Sequence, residues 1–265
     1  MTSASPNRDW LWVWLAAVVT FLTGLGATRL WDEDEGFFAA TAVEMHHRNE
    51  WIVPYYNGEV FAHKPPLMYW AMRAGFWALG ENEWGARIGS AIFGTAAALL
   101  TQWVAARLFD RRTGLLAGLA MASCIMFGVV SRASTADAYL VFFITLVIAA
   151  YVRGTRWFSE STSLPDSLTS AELIAALLPG SWLGFLAMYA AMGMAVLVKG
   201  PVAILLPGTA IGLFILWQVS SSQTTWGGWL KQFVNHIPRV FWAMRPLTAI
   251  LVVVAVTGWW FAAVE

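Results

Sequence analysis

Charge is what this sequence has least of. Only 12% of its 265 residues are Asp, Glu, Lys or Arg, sixteen of each sign, so the formal net charge is zero. A chain so balanced has no basic stripe with which to hold a nucleic acid. It has a single cysteine, Cys124, which excludes an internal disulfide and, lying in an apolar stretch, says nothing about compartment. Two further patterns are missing: a glycine-rich loop for nucleotide phosphates, and an internal repeat of the transporter kind.

What fills the chain instead is apolar and aromatic. Hydrophobic residues make up 58% of it, and seventeen are tryptophan. Those proportions exceed what a soluble domain of this length carries and indicate a multi-pass membrane protein. Windows of about twenty residues give seven candidate spans, near 10–30, 87–108, 113–130, 136–152, 180–198, 201–219 and 247–264. Arg107, Arg111, Arg112, Arg153, Arg156, Lys231, Arg239 and Arg245 all fall on one side of them. The positive-inside pattern makes that side, and the N-terminus, cytoplasmic. The first span is long, Trp-rich and without a small-residue cleavage site, so it reads as an uncleaved helix. The expected fold class is therefore an all-α integral membrane protein of about seven transmembrane helices, a single domain over 1–265. Its large first extracytoplasmic loop, 31–86, carries two short interfacial helices.

The sparse charge is concentrated in that loop. Nine of the sixteen acids lie there, together with His46, His47, His63 and Lys64, and it opens with the run Trp31-Asp32-Glu33-Asp34-Glu35-Gly36. Glu35 to His47 reads as a short amphipathic helix, with Phe38, Ala42 and Met45 at helical spacing on the lipid interface. Asn57-Gly58 marks a tight turn. Pro65-Pro66 suits a helix start, and Leu67 to Leu79, closed by Gly80, reads as the second interfacial helix. Lys64 thus stands at a helix N-terminus, where a cation beside unpaired N–H groups forms a receptor for a phosphate. Asp137, five residues after Arg132, and Lys199, before Gly200-Pro201, fall on the same side of the membrane. Four separated segments so bring Asp34, Glu35, Lys64, Asp137 and Lys199 to one bilayer surface.

Each of these residues has a plainer role open to it. Asp34 and Glu35 suit helix capping, as does Asp137 with Arg132 as surface partner. Lys64 and Lys199 suit snorkelling to head groups. The three loop histidines raise a divalent metal, but adjacent side chains on a helix point about 100° apart, so His46 and His47 do not easily share an ion. That leaves His63 as the weak metal candidate, with no cofactor certain. A transporter using the acidic cluster as a proton or cation site is the competing class, although the central parts of the spans are almost free of the ionisable residues such a site needs.

The ordered set Asp34-Glu35, Trp51-Ile52-Val53-Pro54 with Asn57-Gly58, His63-Lys64-Pro65-Pro66-Leu67 with Tyr69-Trp70, Asn82-Glu83-Trp84 with Ala86-Arg87, Arg132 with Asp137, and Lys199-Gly200-Pro201 resembles the bacterial GT-C membrane glycosyltransferases. Within that superfamily the relevant group is related to protein O-mannosyltransferases and to the aminoarabinose transferase of lipid A. The resemblance implies transfer of a sugar from a polyprenyl phosphate carrier to a lipid, glycan or protein hydroxyl, at the outer face of the cytoplasmic membrane. Implied with it are Asp34 as base, Glu35 supporting the site, and Lys64 and Lys199, with Arg132, holding the carrier phosphate. Asp137 would orient a lysine or the acceptor. The partners are then the polyprenyl phosphate donor, the acceptor and membrane lipids, with no nucleic acid.

Two departures stand out. Phe37-Phe38 occupies the place of an Arg-Tyr doublet in the aminoarabinose transferases, and His63 that of a glutamate before the lysine. The donor sugar is accordingly left open. The family also continues through further spans, so its C-terminal region is expected to be absent here, supplied by a longer reading frame or a second polypeptide, or its lack leaves an inactive fragment.

Overall fold

A computed structural model describes residues 8–31, 33–158, 168–221 and 225–264, without the side chain of Glu33. The Ser/Thr-rich stretch from Ser159 to Ser170, a polar connection by composition, lies mostly outside these residues. Twelve α-helices and one two-residue hairpin are described: α1 Asp9–Leu22, α2 Glu33–His47, β1 Tyr55–Tyr56, β2 Glu59–Val60, α3 Leu67–Leu79, α4 Glu83–Leu108, α5 Arg111–Ser123, α6 Ile125–Arg132, α7 Asp137–Gly154, α8 Ser170–Ala176, α9 Trp182–Lys199, α10 Val202–Ser220, α11 Trp226–Ala243 and α12 Pro246–Val264. The fold is all-helical and multi-pass, as the composition indicates.

Five helices, α4, α7, α9, α10 and α12, are long and apolar enough to cross a bilayer, and α5 with α6 makes a sixth if counted as one bent span. The expected seven therefore resolve differently at two places. The first apolar segment is helical for only 14 residues, about 21 Å at 1.5 Å per residue, and turns at Gly24, where φ is +65°. The third is broken at Cys124 by a bend of 60°. Cys124 takes an extended backbone there, so α6 restarts in a new direction.

Local chemistry explains the boundaries that matter for the site. Asn57 and Gly58 both take positive φ, 52° and 85°, the conformation a two-residue hairpin turn requires. Pro66 precedes α3, and Gly80 closes it at φ +86° while its N–H donates to Phe76 O. The Asn82 side chain then caps α4 by accepting from Gly85 N at 3.0 Å.

α4 is the spine of the bundle, packing on α1, α3, α5 and α7, while α9 joins α7 to α10 and α12. Two apolar cores result. One gathers α1, α4, α5 and α6 around Phe21, Leu25 and Phe127. The larger gathers α2, α3, α7, α9 and α10 around Tyr69, Tyr139 and Met192. Phe38, Ala42 and Met45 belong to this second core, which corrects their expected place on the lipid interface: α2 buries that stripe against α3. At its far end α12 returns to the 31–86 loop, where Trp260 Nε1 donates to Ile52 O at 2.8 Å and Trp259 stacks on Trp70.

Candidate active site

The helices alternate in direction, so one end of the bundle collects the start of α2, the segment before α3, the α6–α7 turn and the α9–α10 turn. At the centre of this end is a buried ion pair. Glu35 is completely buried and Arg87 is 2% exposed. The guanidinium grips the carboxylate in a fork, Nε to Oε1 at 2.9 Å and Nη2 to Oε2 at 2.7 Å. Glu35 also accepts from Ser134 N at 2.7 Å, Ser134 Oγ at 3.2 Å and Trp31 N at 3.2 Å. Arg87 spends its other protons on Leu25 O, Thr28 O and Arg29 O, at 2.8–3.0 Å. Neither charge has an unmet proton or lone-pair demand, which is the condition under which an ion pair survives burial.

Burial alone would raise the Glu35 pKa, but the Arg87 hydrogen bonds, the Ser134 and Trp31 N–H groups and the Arg87 charge together hold it below the ordinary glutamate value. The carboxylate is thus ionised and fully engaged. It ties the turn after α1, the start of α2, the top of α4 and the α6–α7 turn together at one point. Its geometry is that of a positioning group, with no oxygen turned toward solvent.

The acids next to this node are open to solvent. Asp34, one position earlier, is exposed. Asp137 follows Ser134 by three residues, but it does not cap α7: the residue before it makes no side-chain cap. It pairs instead with Lys199 at the end of α9, Nζ to Oδ1 at 2.5 Å, the side chains 42% and 33% exposed. Gly200 closes α9 at φ +73° and so leaves Lys199 at the turn. Lys64 is half-buried ahead of Pro65-Pro66 and α3. Among the described residues it has no carboxylate within ion-pair reach. Asp34, Lys64 and the Asp137–Lys199 pair are thus carried to the same end, by four elements that the Glu35 node and the two cores lock together.

The other expected residues lie differently. Arg132 donates through Nη1 to Thr20 O and Thr23 O at 2.8 and 2.7 Å, satisfying carbonyls at the end of α1 that would otherwise lack partners. It lines a cavity of about 410 Å³ with Thr20, Thr28, Trp31, Arg87 and Cys124, whose described lining includes none of Asp34, Lys64, Asp137 or Lys199. It is not the surface partner of Asp137. His63 is exposed and stacks on Phe61, ring centres 4.2 Å apart. His47 faces Glu81, with Nε2 at 2.8 Å from Oε1, and His46 Nε2 lies 3.8 Å from the same oxygen. Among the described residues no three His, Cys, Asp or Glu side chains are arranged to hold a metal ion. Arg87, the buried partner of Glu35, stands in the ordered motif set but receives no role from the sequence. An arginine five positions into an apolar helix was the available signal.

Comparison with known proteins finds relatives over most of the chain. The family model described as dolichyl-phosphate-mannose-protein mannosyltransferase matches residues 63–162. The chain is 27% identical to ArnT from Cupriavidus metallidurans, solved bound to undecaprenyl phosphate, superposing with a TM-score of 0.69 over 97% of this chain and 42% of that one. The chain belongs with the GT-C membrane glycosyltransferases. It is 30% identical over 218 residues to the undecaprenyl phosphate-alpha-4-amino-4-deoxy-L-arabinose arabinosyl transferase of Pseudomonas savastanoi pv. phaseolicola, covering 81% of this chain and 37% of that protein. A relative from Aquifex aeolicus is 26% identical over 255 residues, 96% of this chain and 43% of its own length. The chain therefore spans about two fifths of the length of these relatives.

Proposed function

We propose that this chain carries the donor-side half of a sugar transfer from a polyprenyl phosphate to a hydroxyl acceptor. The acceptor oxygen attacks the anomeric carbon as the bond from that carbon to the phosphate oxygen breaks. Asp34 orients the attacking hydroxyl and takes its proton, and the leaving phosphate carries the bond's electron pair. Lys64, without a carboxylate partner among the described residues, meets that phosphate with the N-terminus of α3 behind it. Lys199 contributes a second cation whose aim is set by Asp137. Glu35 holds the machinery in place without reacting. Single displacement inverts the anomeric centre. The arginine-rich end faces the cytoplasm and the reacting end faces outward, following the positive-inside pattern.

The observation that carries this reading is the Glu35–Arg87–Ser134 node. A buried, fully satisfied pair fixes the backbone one residue from Asp34 and three from Asp137, while leaving the Asp34 carboxylate itself exposed. That is the arrangement of a scaffold for a reactive group, and ArnT bound to undecaprenyl phosphate supplies the chemical class of carrier. The test is native mass spectrometry of the detergent-purified chain beside Lys64→Ala and Lys199→Ala. Polyprenyl phosphate retained by the parent and lost from both variants is the expected result; equal retention in all three removes the lysines as its receptor. In a transfer assay with polyprenyl-phosphate-linked sugars, Asp34→Asn abolishes product while the fold is kept, and activity surviving in that variant removes Asp34 as the base.

A further inference from the structure

At the opposite end of the bundle, α4 and α9 both pack on α7 but not closely on each other. They leave a groove of about 550 Å³ lined by Leu100, Trp103, Leu146, Ala150, Arg153 and Ala187, among others. Its floor is firm: Gly180 N donates to Gly154 O at 2.9 Å, Thr155 bridges Pro179, and the α-carbon of Gly184 lies against Gly154. Glycines let α7 and α9 meet there, and the short side chains of Ala150 and Ala187 line the space between α9 and α4. From Arg153 to Leu146 the wall runs seven residues, about 10 Å of helix. In a bilayer such a space is not left empty, because its lining would forfeit dispersion contacts on one side.

Among the described lining residues the one charged side chain is Arg153. Arg153 is exposed, and neither it nor Arg107, Arg112 or Arg156 has a carboxylate within ion-pair reach among the described residues. Arg107 lies over the Trp103 ring, 5.9 Å from its centre. The described carboxylates at this end are already engaged: Asp9 with Arg111, Asp110 on the first turn of α5, and Glu172 in a capping box with Thr169. An apolar slot two helical turns deep, under a guanidinium with no carboxylate partner among the described residues, suits a molecule with an anionic head and a hydrocarbon tail.

We infer that this groove is a binding site for an anionic glycerophospholipid, its phosphodiester on Arg153 and the start of one acyl chain against Leu100, Trp103, Leu146 and Ala187. Guanidinium suits the phosphate oxygens as a fork, and basic pockets between transmembrane helices hold lipid head groups in this way. The site lies at the other end of the molecule from Asp34 and Lys64 and does not depend on the sugar-transfer reading.

The test is native mass spectrometry of the full chain extracted from vesicles of equal phosphatidylglycerol and phosphatidylethanolamine. The parent retains phosphatidylglycerol in preference to phosphatidylethanolamine. Arg153→Ala retains about fivefold less of it, the contribution expected of one basic side chain toward an anionic lipid. Ala187→Phe, which fills the slot and leaves every charge in place, loses the same lipid, and Arg112→Ala, outside the groove, keeps it. Retention unchanged in both Arg153→Ala and Ala187→Phe overturns the site. So does a loss in Arg112→Ala equal to that in Arg153→Ala, which would mean a diffuse basic surface. Added polyprenyl phosphate that displaces the phosphatidylglycerol would reassign the groove to the carrier and overturn the proposal as well.

Discussion

At the scale of single residues, the division of labour between Asp34 and Glu35 is the central point. Adjacent carboxylates look equivalent in sequence, yet one is exposed and the other has no accessible surface. Removing either partner of the buried pair strands the other charge, so Arg87→Ala is expected to cost about 3–5 kcal/mol, readable as a lowered unfolding temperature in detergent. Asp34→Asn, at an exposed position, stays within about 0.5 kcal/mol of the parent. A pH dependence follows from the depressed Glu35 pKa. The stabilisation is fully present above the ordinary glutamate value and is lost as the pH falls through the depressed one. The parent's melting temperature should therefore decline on acidification below the usual carboxylate range, with a shallower decline in Glu35→Gln. Parallel curves for the two proteins would show that another group governs acid stability. Reading the sequence alone, Arg87 was visible as a charge inside an apolar helix. Its partner was not, because 52 residues separate it from Glu35 and no local rule spans that distance.

At the scale of elements, what could be read from the chain divides by whether the cue is local. α3 is bounded as Pro65-Pro66 and Gly80 dictate, and the hairpin turns at Asn57-Gly58 because both positions take left-handed backbone. The bend between α5 and α6 carries no such cue: Thr113 to Val130 contains no proline, and only a back-bond from Ser123 Oγ to Leu119 O precedes it. The buried stripe of α2 was misassigned for a different reason. Periodicity identifies an apolar face without saying whether lipid or protein covers it. Close contact between α3 and α4 yields a further prediction. A β-carbon on Gly75 would run into the backbone carbonyl of Gly85, and backbone cannot swing aside as a side chain does. Gly75→Ala should therefore destabilise the chain by about 1–3 kcal/mol, measured by thermal unfolding, whereas Gly36→Ala, with open space around it, should not.

At the scale of the whole molecule, the asymmetry of the two ends is the organising fact. One end carries the acid–lysine cluster and the other Arg107, Arg111, Arg112, Arg153 and Arg156, and five or six spans separate them. Single cysteines at His63 and Arg112, in a Cys124→Ser background, are expected to react with a membrane-impermeant maleimide from opposite sides of a sealed vesicle. Labelling from the same side would contradict the alternation of the helices. The large division of apolar spans from a charged loop was legible in composition alone. The assembly of the site was not, because it depends on which helices touch.

The Glu35 node also bears on how the chain is made. Its last hydrogen-bond donor, Ser134, comes 99 residues after the carboxylate. At translation rates of about 5–20 residues per second, about 5 to 20 s pass between the synthesis of the two. Arg87 comes 52 residues after the carboxylate and Ser134 only later, so until α6 is made the start of α2 lacks the Ser134 bonds. The end of the bundle bearing Asp34 and Lys64 therefore completes its hydrogen bonding only after α6 has been inserted, among the later steps of this protein's biogenesis.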